Sequence, residues 1–113
     1  KGGKISSIVP MVSHVDHTEH DVDIIVTEIG LADLRGLAPR ERAEVIINNC
    51  VAEPYRQMLH DYVTEAQLRG GHTPHVLEKA LSWHTRYRDT GSMLTHEKEA
   101  EILAQEAICL ANA

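Results

Sequence analysis

The sequence has no run rich in Lys and Arg and no basic patch interleaved with aromatics, and its 113 residues carry a formal net charge of -6. Binding a polyanion needs clustered positive charge, so nucleic acid is not an expected partner. No apolar stretch approaches the roughly 20 residues of a membrane-spanning helix, and no membrane partner is expected. No signal-peptide pattern opens the chain. It begins with Lys1 rather than Met, and its first apolar run starts at once near Ile5. Both features point to a piece of a longer polypeptide, so the missing leader does not fix targeting. Internal repeats and low-complexity segments are absent. Only two cysteines occur, Cys50 and Cys109, without metal-type spacing. They are expected to be buried thiols in a reducing compartment.

What is there divides into a short strand-like part and a long helical part. Ile5 to Val12 holds Ile8, Val9, Met11 and Val12, interrupted by Pro10. A proline removes a ladder donor, so a strand here should end or lie at an edge. Val22 to Val26 is nearly continuous and β-branched, the pattern of a strand buried on both faces. Ala43, Ile46, Ile47, Cys50 and Val51 then follow helical spacing, with Pro39 suited to the first turn. Tyr55, Met58, Leu59, Tyr62, Val63 and Ala66 repeat that spacing until Gly70-Gly71, a C-terminal cap signal. Thr73-Pro74 reads as an N-cap followed by a first-turn proline. The stripe after it runs through Val76, Leu77, Ala80, Leu81 and His84 to a break at Asp89-Thr90-Gly91. Trp83 and His84 are expected at a helix interface. A last helix is expected from about Thr95, with Ala100, Leu103, Ala104, Ala107, Ile108 and Ala111 on one face. The fold class is therefore α/β, with about two strands followed by about four helices. Two strands make no stable parallel sheet alone, so the chain reads as the end of an open sheet whose other strands lie upstream.

The sharpest candidate site is Val26-Thr27-Glu28-Ile29-Gly30-Leu31-Ala32-Asp33-Leu34-Arg35-Gly36. Ligands of open α/β sheets bind outside the carboxyl ends of strands. Glu28 stands at such an end, followed by Gly30 for a tight turn. A solvated loop acid would have the same sequence, and the residues alone leave that alternative open. His14, His17 and His20 alternate with Asp16, Glu19 and Asp21. These are good zinc-ligand types, but Ser13-His14-Val15-Asp16-His17 lacks the first histidine of the HxHxDH pattern. The segment is read as a polar loop, with no metal expected.

Residues 1–10 (Lys1-Gly2-Gly3-Lys4-Ile5-Ser6-Ser7-Ile8-Val9-Pro10), the His14 to His20 segment and the VTE-x-GLADLRG run together resemble the acetyl-CoA hydrolase/transferase family, in particular its acetate- and succinate-using CoA-transferases. The similarity continues through Arg40-Glu41-Arg42-Ala43, Gly71-His72-Thr73-Pro74-His75 and Arg88-Asp89-Thr90-Gly91-Ser92-Met93. It covers about residues 1–93 of this chain, which is read as the C-terminal portion of that family's C-terminal domain, with residues 94–113 expected to add an extra helix without a family signature. Two positions depart from the pattern. Ala38 stands where relatives often have Ser, and cannot cap a helix, a loss of about 1 kcal/mol. Ala52-Glu53-Pro54-Tyr55 replaces a His-Pro-Asp-Tyr-like run.

The resemblance implies a parent enzyme that moves CoA between an acyl-CoA, acetyl- or succinyl-CoA, and a small carboxylate. An active-site glutamate attacks the thioester and CoA returns to form a glutamyl-CoA intermediate. That nucleophile lies upstream of the VTE motif, outside this chain, so the piece alone should be inactive. Glu28 matches the motif's active-site glutamate and is the catalytic candidate. Lys1 matches a CoA-contacting lysine, and Lys4 is a second candidate. Coenzyme A enters as substrate, and no metal is implied. The expected partners are acyl-CoA, small carboxylates, the rest of the parent enzyme and further copies in a homo-oligomer. The expected compartment is the cytoplasm, or the mitochondrion in a fungus. The alternatives are an acetyl-CoA hydrolase, if water replaces the acceptor, and a non-catalytic helical interaction module. A metal-dependent hydrolase ranks third.

Overall fold

The computed structural model describes residues 2–112, with side chains described as far as residue 110. Two strands come first, β1 (Ile24–Val26) and β2 (Leu31–Asp33). Four helices follow among the described residues: α1 (Pro39–Cys50), α2 (Tyr55–Arg69), α3 (Ser82–Thr90) and α4 (His96–Asn112). The α/β class and the order of strands before helices are as expected.

The strands themselves differ from the expectation in two ways. The segment Ile5–Val12 is not a strand. Its backbone and that of the residues just before it are held by scattered contacts instead of a ladder. The Tyr55 hydroxyl donates to the Gly3 carbonyl, the Met93 amide donates to the Lys4 carbonyl at 2.8 Å, and His84 Nε2 lies 2.8 Å from the Met11 carbonyl. β1 pairs instead with β2, antiparallel, with Ile24 opposite Asp33, Ile25 opposite Ala32 and Val26 opposite Leu31. Nor is β1 buried on both faces. Ile25 and fully buried Ala32 point inward, while Ile24, Val26 and Leu31 are 45%, 69% and 52% exposed. Successive strand residues face opposite ways, so with helices on one side only, the second apolar face meets solvent.

The inner face of the hairpin rests on α1. Ala32, Leu34 and Cys50 form one buried cluster, with Val22, Ile25, Val45 and Ile46 packed around it. The other side of α1 joins the main core, where Ile47 and Val51 meet Tyr55, Leu59, Trp83, Met93 and Leu94. The rings of Tyr55 and Trp83 stand 5.6 Å apart and tilted by 36°, a favourable offset arrangement.

The helix ends follow local chemistry. Ala38 occupies the N-cap of α1 with no side-chain cap of its own. Its amide donates to Glu41 Oε1 at 3.1 Å, so half of a capping box survives the alanine. Gly70 ends α2, its amide donating to the Gln67 carbonyl at 3.1 Å. α3 starts at Ser82, later than the Thr73-Pro74 signal suggests. Val76 is buried and its amide donates to the Tyr62 hydroxyl at 3.1 Å. Two successive turns, Lys79 N to Val76 O and Ser82 N to Lys79 O, then carry the chain into the helix. In α4 the stripe expected to be apolar and packed is exposed at Ala100, Leu103, Ala104, Ala107 and Ile108, and Ile102 supplies the contact with the core instead. Cys109 is exposed as well, so only Cys50 is the buried thiol expected.

Candidate functional site

Thr27, Glu28, Ile29 and Gly30 form the turn between β1 and β2. The Thr27 amide donates to the Gly30 carbonyl at 2.9 Å, leaving Glu28 and Ile29 as a two-residue tip. The tip is fixed by the end of α1. The Thr27 hydroxyl donates to the Cys50 carbonyl at 2.7 Å and accepts from the Ile29 amide at 3.2 Å. Asn49 Nδ2 donates to the Leu31 carbonyl at 3.0 Å. The Cys50 thiol lies 3.6 Å from the Ile25 carbonyl and 3.5 Å from that of Gly30. The last carbonyls of a helix have no intrahelical partner, and here the strand turn supplies one. Gly30 is needed for contact and not for an unusual backbone angle: a Cβ there would sit 2.6 Å from the Asn49 carbonyl oxygen.

Glu28 is exposed at this tip and makes no hydrogen bond or ion pair with another described residue. It lines a cleft of about 170 Å³ together with Gly3, Ser6, Ser7, Glu53 and Tyr55. The structure therefore brings Glu28 beside the N-terminal segment that carries the lysine candidates. Gly3 and Ile5 line the cleft, and Lys4 between them has an exposed side chain. Lys1 lies outside the described residues. A carboxylate in a small cleft can orient or polarise a second reactant there.

The same motif carries a two-pronged ion pair. Arg35 Nε and Nη2 donate to the two oxygens of Asp33 at 2.9 and 2.7 Å. This planar match holds the Asp33 carboxyl at a pKa of about 2, through the side-chain bonds first and the Arg35 amide second. The same pairing raises Arg35.

Two other places were candidates for chemistry. His14 Nε2 contacts Asp16 Oδ1 at 2.9 Å, both side chains being open to solvent. Among the described residues no three His, Cys, Asp or Glu side chains gather closely enough to hold a metal ion. A larger cavity of about 420 Å³ lies between β1, α1 and α2 and shares only Ile8 with the Glu28 cleft. Several of its polar groups are engaged within the protein. Arg42 donates to the carbonyls of Leu37, Glu19 and Val22, Arg40 to that of Gly71, and Tyr62 pairs with His75.

The sequence singled out Glu28 and the turn around it, but not the Asn49–Cys50 clamp. The clamp spans residues about twenty positions apart, and only Gly30 hints that something packs closely there.

Comparison with known proteins gives this geometry a family context. The family model described as acetyl-CoA hydrolase/transferase C-terminal domain matches residues 1–63. A succinyl-CoA:acetate CoA-transferase of Clostridium kluyveri is 68% identical over 94 residues, covering 82% of this chain and 18% of that protein. An acetyl-CoA hydrolase of Candida glabrata is 54% identical, with 79% and 18% covered. A propanoyl-CoA:succinate CoA transferase of Escherichia coli is 53% identical, with 83% and 19% covered. The chain thus spans less than a fifth of the length of these relatives.

Proposed function

The chain belongs to the acetyl-CoA hydrolase/transferase family, and from that premise we propose that it is the C-terminal portion of a CoA-transferase acting between acetyl- or succinyl-CoA and a small carboxylate. The observation that carries this reading is the 68% identity to a succinyl-CoA:acetate CoA-transferase.

In the proposed reaction a glutamate from the rest of the parent protein attacks the thioester carbonyl. Its carboxylate displaces CoA thiolate and forms a mixed anhydride. The thiolate then attacks the glutamyl carbonyl, releasing the first carboxylic acid as its carboxylate and leaving glutamyl-CoA. An acceptor carboxylate runs the same two steps in reverse. Glu28 acts from the hairpin tip, orienting the groups around that glutamate and shaping its field. Lys1 and Lys4 meet CoA oxygens as charge-assisted donors. The parent works as a homo-oligomer, in the cytoplasm of a bacterium or the mitochondrion of a fungus. No metal takes part, and residues 94–113 add a helix beyond the family domain.

Acetyl-CoA hydrolase is the second reading, favoured by the name of the Candida glabrata relative. Assaying the full-length parent with acetyl-CoA, with and without succinate, separates the two. Succinyl-CoA formation supports the transferase. Acetyl-CoA loss that ignores succinate supports the hydrolase. Glu28→Gln in the same assay should lower kcat on the order of tenfold to a thousandfold. An unchanged kcat would reduce Glu28 to a loop acid.

A further inference from the structure

We propose that Thr27 is the positioning residue for Glu28, acting through its hydroxyl bridge between the hairpin tip and the end of α1. The inference rests on the reading of Glu28 given above. A carboxylate at the tip of a short, exposed hairpin has no rigidity of its own, and catalysis needs side chains held to a fraction of an ångström. Glu28 has no side-chain partner among the described residues, so its place is set by its backbone. That backbone is tied at the residue before it. The Thr27 hydroxyl gives its proton to the Cys50 carbonyl at 2.7 Å and takes the Ile29 amide proton at 3.2 Å. One hydroxyl therefore closes the two-residue tip and anchors it to the helix at once.

The neighbouring contacts stiffen the same joint. Asn49 Nδ2 holds the Leu31 carbonyl on the returning strand at 3.0 Å. Gly30 lies so near the Asn49 carbonyl that no Cβ fits between them. Threonine suits this post because its methyl and hydroxyl fix χ1. Valine keeps that shape and removes both bonds.

The test is steady-state kinetics of Thr27→Val, Thr27→Ser, Glu28→Gln and Thr27→Val/Glu28→Gln in the full-length parent protein. Thr27→Val should lower kcat about tenfold to a hundredfold, as a misplacement of about 1 Å does, with a smaller change in KM. Thr27→Ser restores the hydroxyl and should recover most of kcat. The double variant should be no slower than Glu28→Gln alone, because a residue that acts through Glu28 has nothing to lose once its charge is gone. Full kcat in Thr27→Val alongside an impaired Glu28→Gln overturns this inference and leaves the reading of Glu28 intact. Losses that multiply in the double variant also overturn it, since Thr27 would then act independently. Full kcat in Glu28→Gln overturns the reading of Glu28 itself. If Thr27→Val does not accumulate as folded protein, Asn49→Ala replaces it in the cycle. Asn49 is exposed and supplies the second strut. Its loss should lower kcat in the wild type and not in Glu28→Gln, and an equal loss in both backgrounds overturns the proposal.

Discussion

The α-carbon of Gly30 rests against the carbonyl oxygen of Asn49, where an added Cβ would stand 2.6 Å away. The obstacle is helix backbone rather than the end of a flexible side chain. Gly30→Ala must therefore push β2 from α1 or bend the helix end. Forced overpacking of this kind costs about 1–3 kcal/mol. A urea titration of the chain should show a lower midpoint with little change in slope. An unchanged midpoint would mean that the end of α1 gives way freely.

Asp33 and Arg35 provide a pH-dependent prediction. The pairing lowers the Asp33 carboxyl from its ordinary value of 3.8 to about 2. A depressed acid contributes stability above its unfolded pKa, and that contribution fades as pH falls through the folded one. The window here lies between about pH 4 and pH 2. Carboxyl NMR shifts should give an Asp33 midpoint near 2, and Arg35→Gln should return it toward 3.8. Both side chains are substantially open to solvent, so about 1 M salt should move the wild-type midpoint the same way. A midpoint indifferent to both changes would show that Arg35 is not the cause.

Tyr55 ties the N-terminal segment to the core. Burial, with a smaller push from the Glu99 charge, raises its pKa above the ordinary 10.0. Its hydroxyl donates to the Gly3 carbonyl. A raised phenol stabilises the fold below the unfolded pKa and loses that contribution as pH climbs through the folded one, so this part of the stability falls above pH 10. Tyr55→Phe should remove the alkaline dependence and cost about 1 kcal/mol for the lost bond. It should also speed hydrogen exchange at the Met93 amide, which donates to Lys4 next to Gly3. Unchanged exchange would show that the segment is held without Tyr55.

What the sequence made legible follows from how local each signal was. α1 and α2 are legible because stripes such as Ile46, Ile47 and Cys50, or Leu59, Tyr62 and Ala66, each lie within one element at helical spacing. Glu28 was found because a β-branched run stops just before it. β2 was not found, since Leu31–Asp33 is too short to show alternation. The run Ile5–Val12 imitates a strand, yet its long-range bonds are the Ser6 amide to Met93 Sδ, 87 positions away, and the Met11 carbonyl to His84, 73 positions away. α3 starts later than Thr73-Pro74 suggests because the turns Lys79 N to Val76 O and Ser82 N to Lys79 O come first, behind a Val76 amide held by the Tyr62 hydroxyl of another helix. The α1 clamp on the hairpin pairs side chains with distant carbonyls, and no periodicity encodes that.

α4 contributes little to the core. Ile102 is its apolar contact there, while Leu103, Ile108 and Leu110 face solvent. Truncation after residue 102 should lower unfolding stability by no more than about 1 kcal/mol, because it removes little buried apolar area. A loss of several kcal/mol in a urea titration would mean that the exposed stripe is covered in solution.

Lys4 and Lys1 should control CoA affinity rather than the chemical step. The Lys4 carbonyl is pinned by the Met93 amide at 2.8 Å, so its backbone is placed beside the Glu28 cleft while its ammonium stays exposed. A cation so placed meets phosphate or pantetheine oxygens as a charge-assisted donor. A well-formed contact of this type is worth roughly 1.5–3 kcal/mol, and an exposed one about 0.2–1 kcal/mol. Lys4→Ala in the full-length parent should therefore raise KM for acyl-CoA up to about fivefold, taking the exposed figure. kcat should hardly change, because ground state and transition state lose the same contact. On the proposed reading of Lys1 as a CoA contact, Lys1→Ala should show the same pattern with a larger effect. Salt decides whether charge is responsible. Raising the ionic strength should weaken the wild type toward each variant and shrink the difference between them. A KM that stays at the wild-type value in low salt makes the substituted lysine a solvated surface charge and removes it from the CoA site. A loss confined to kcat would place it with Glu28 instead.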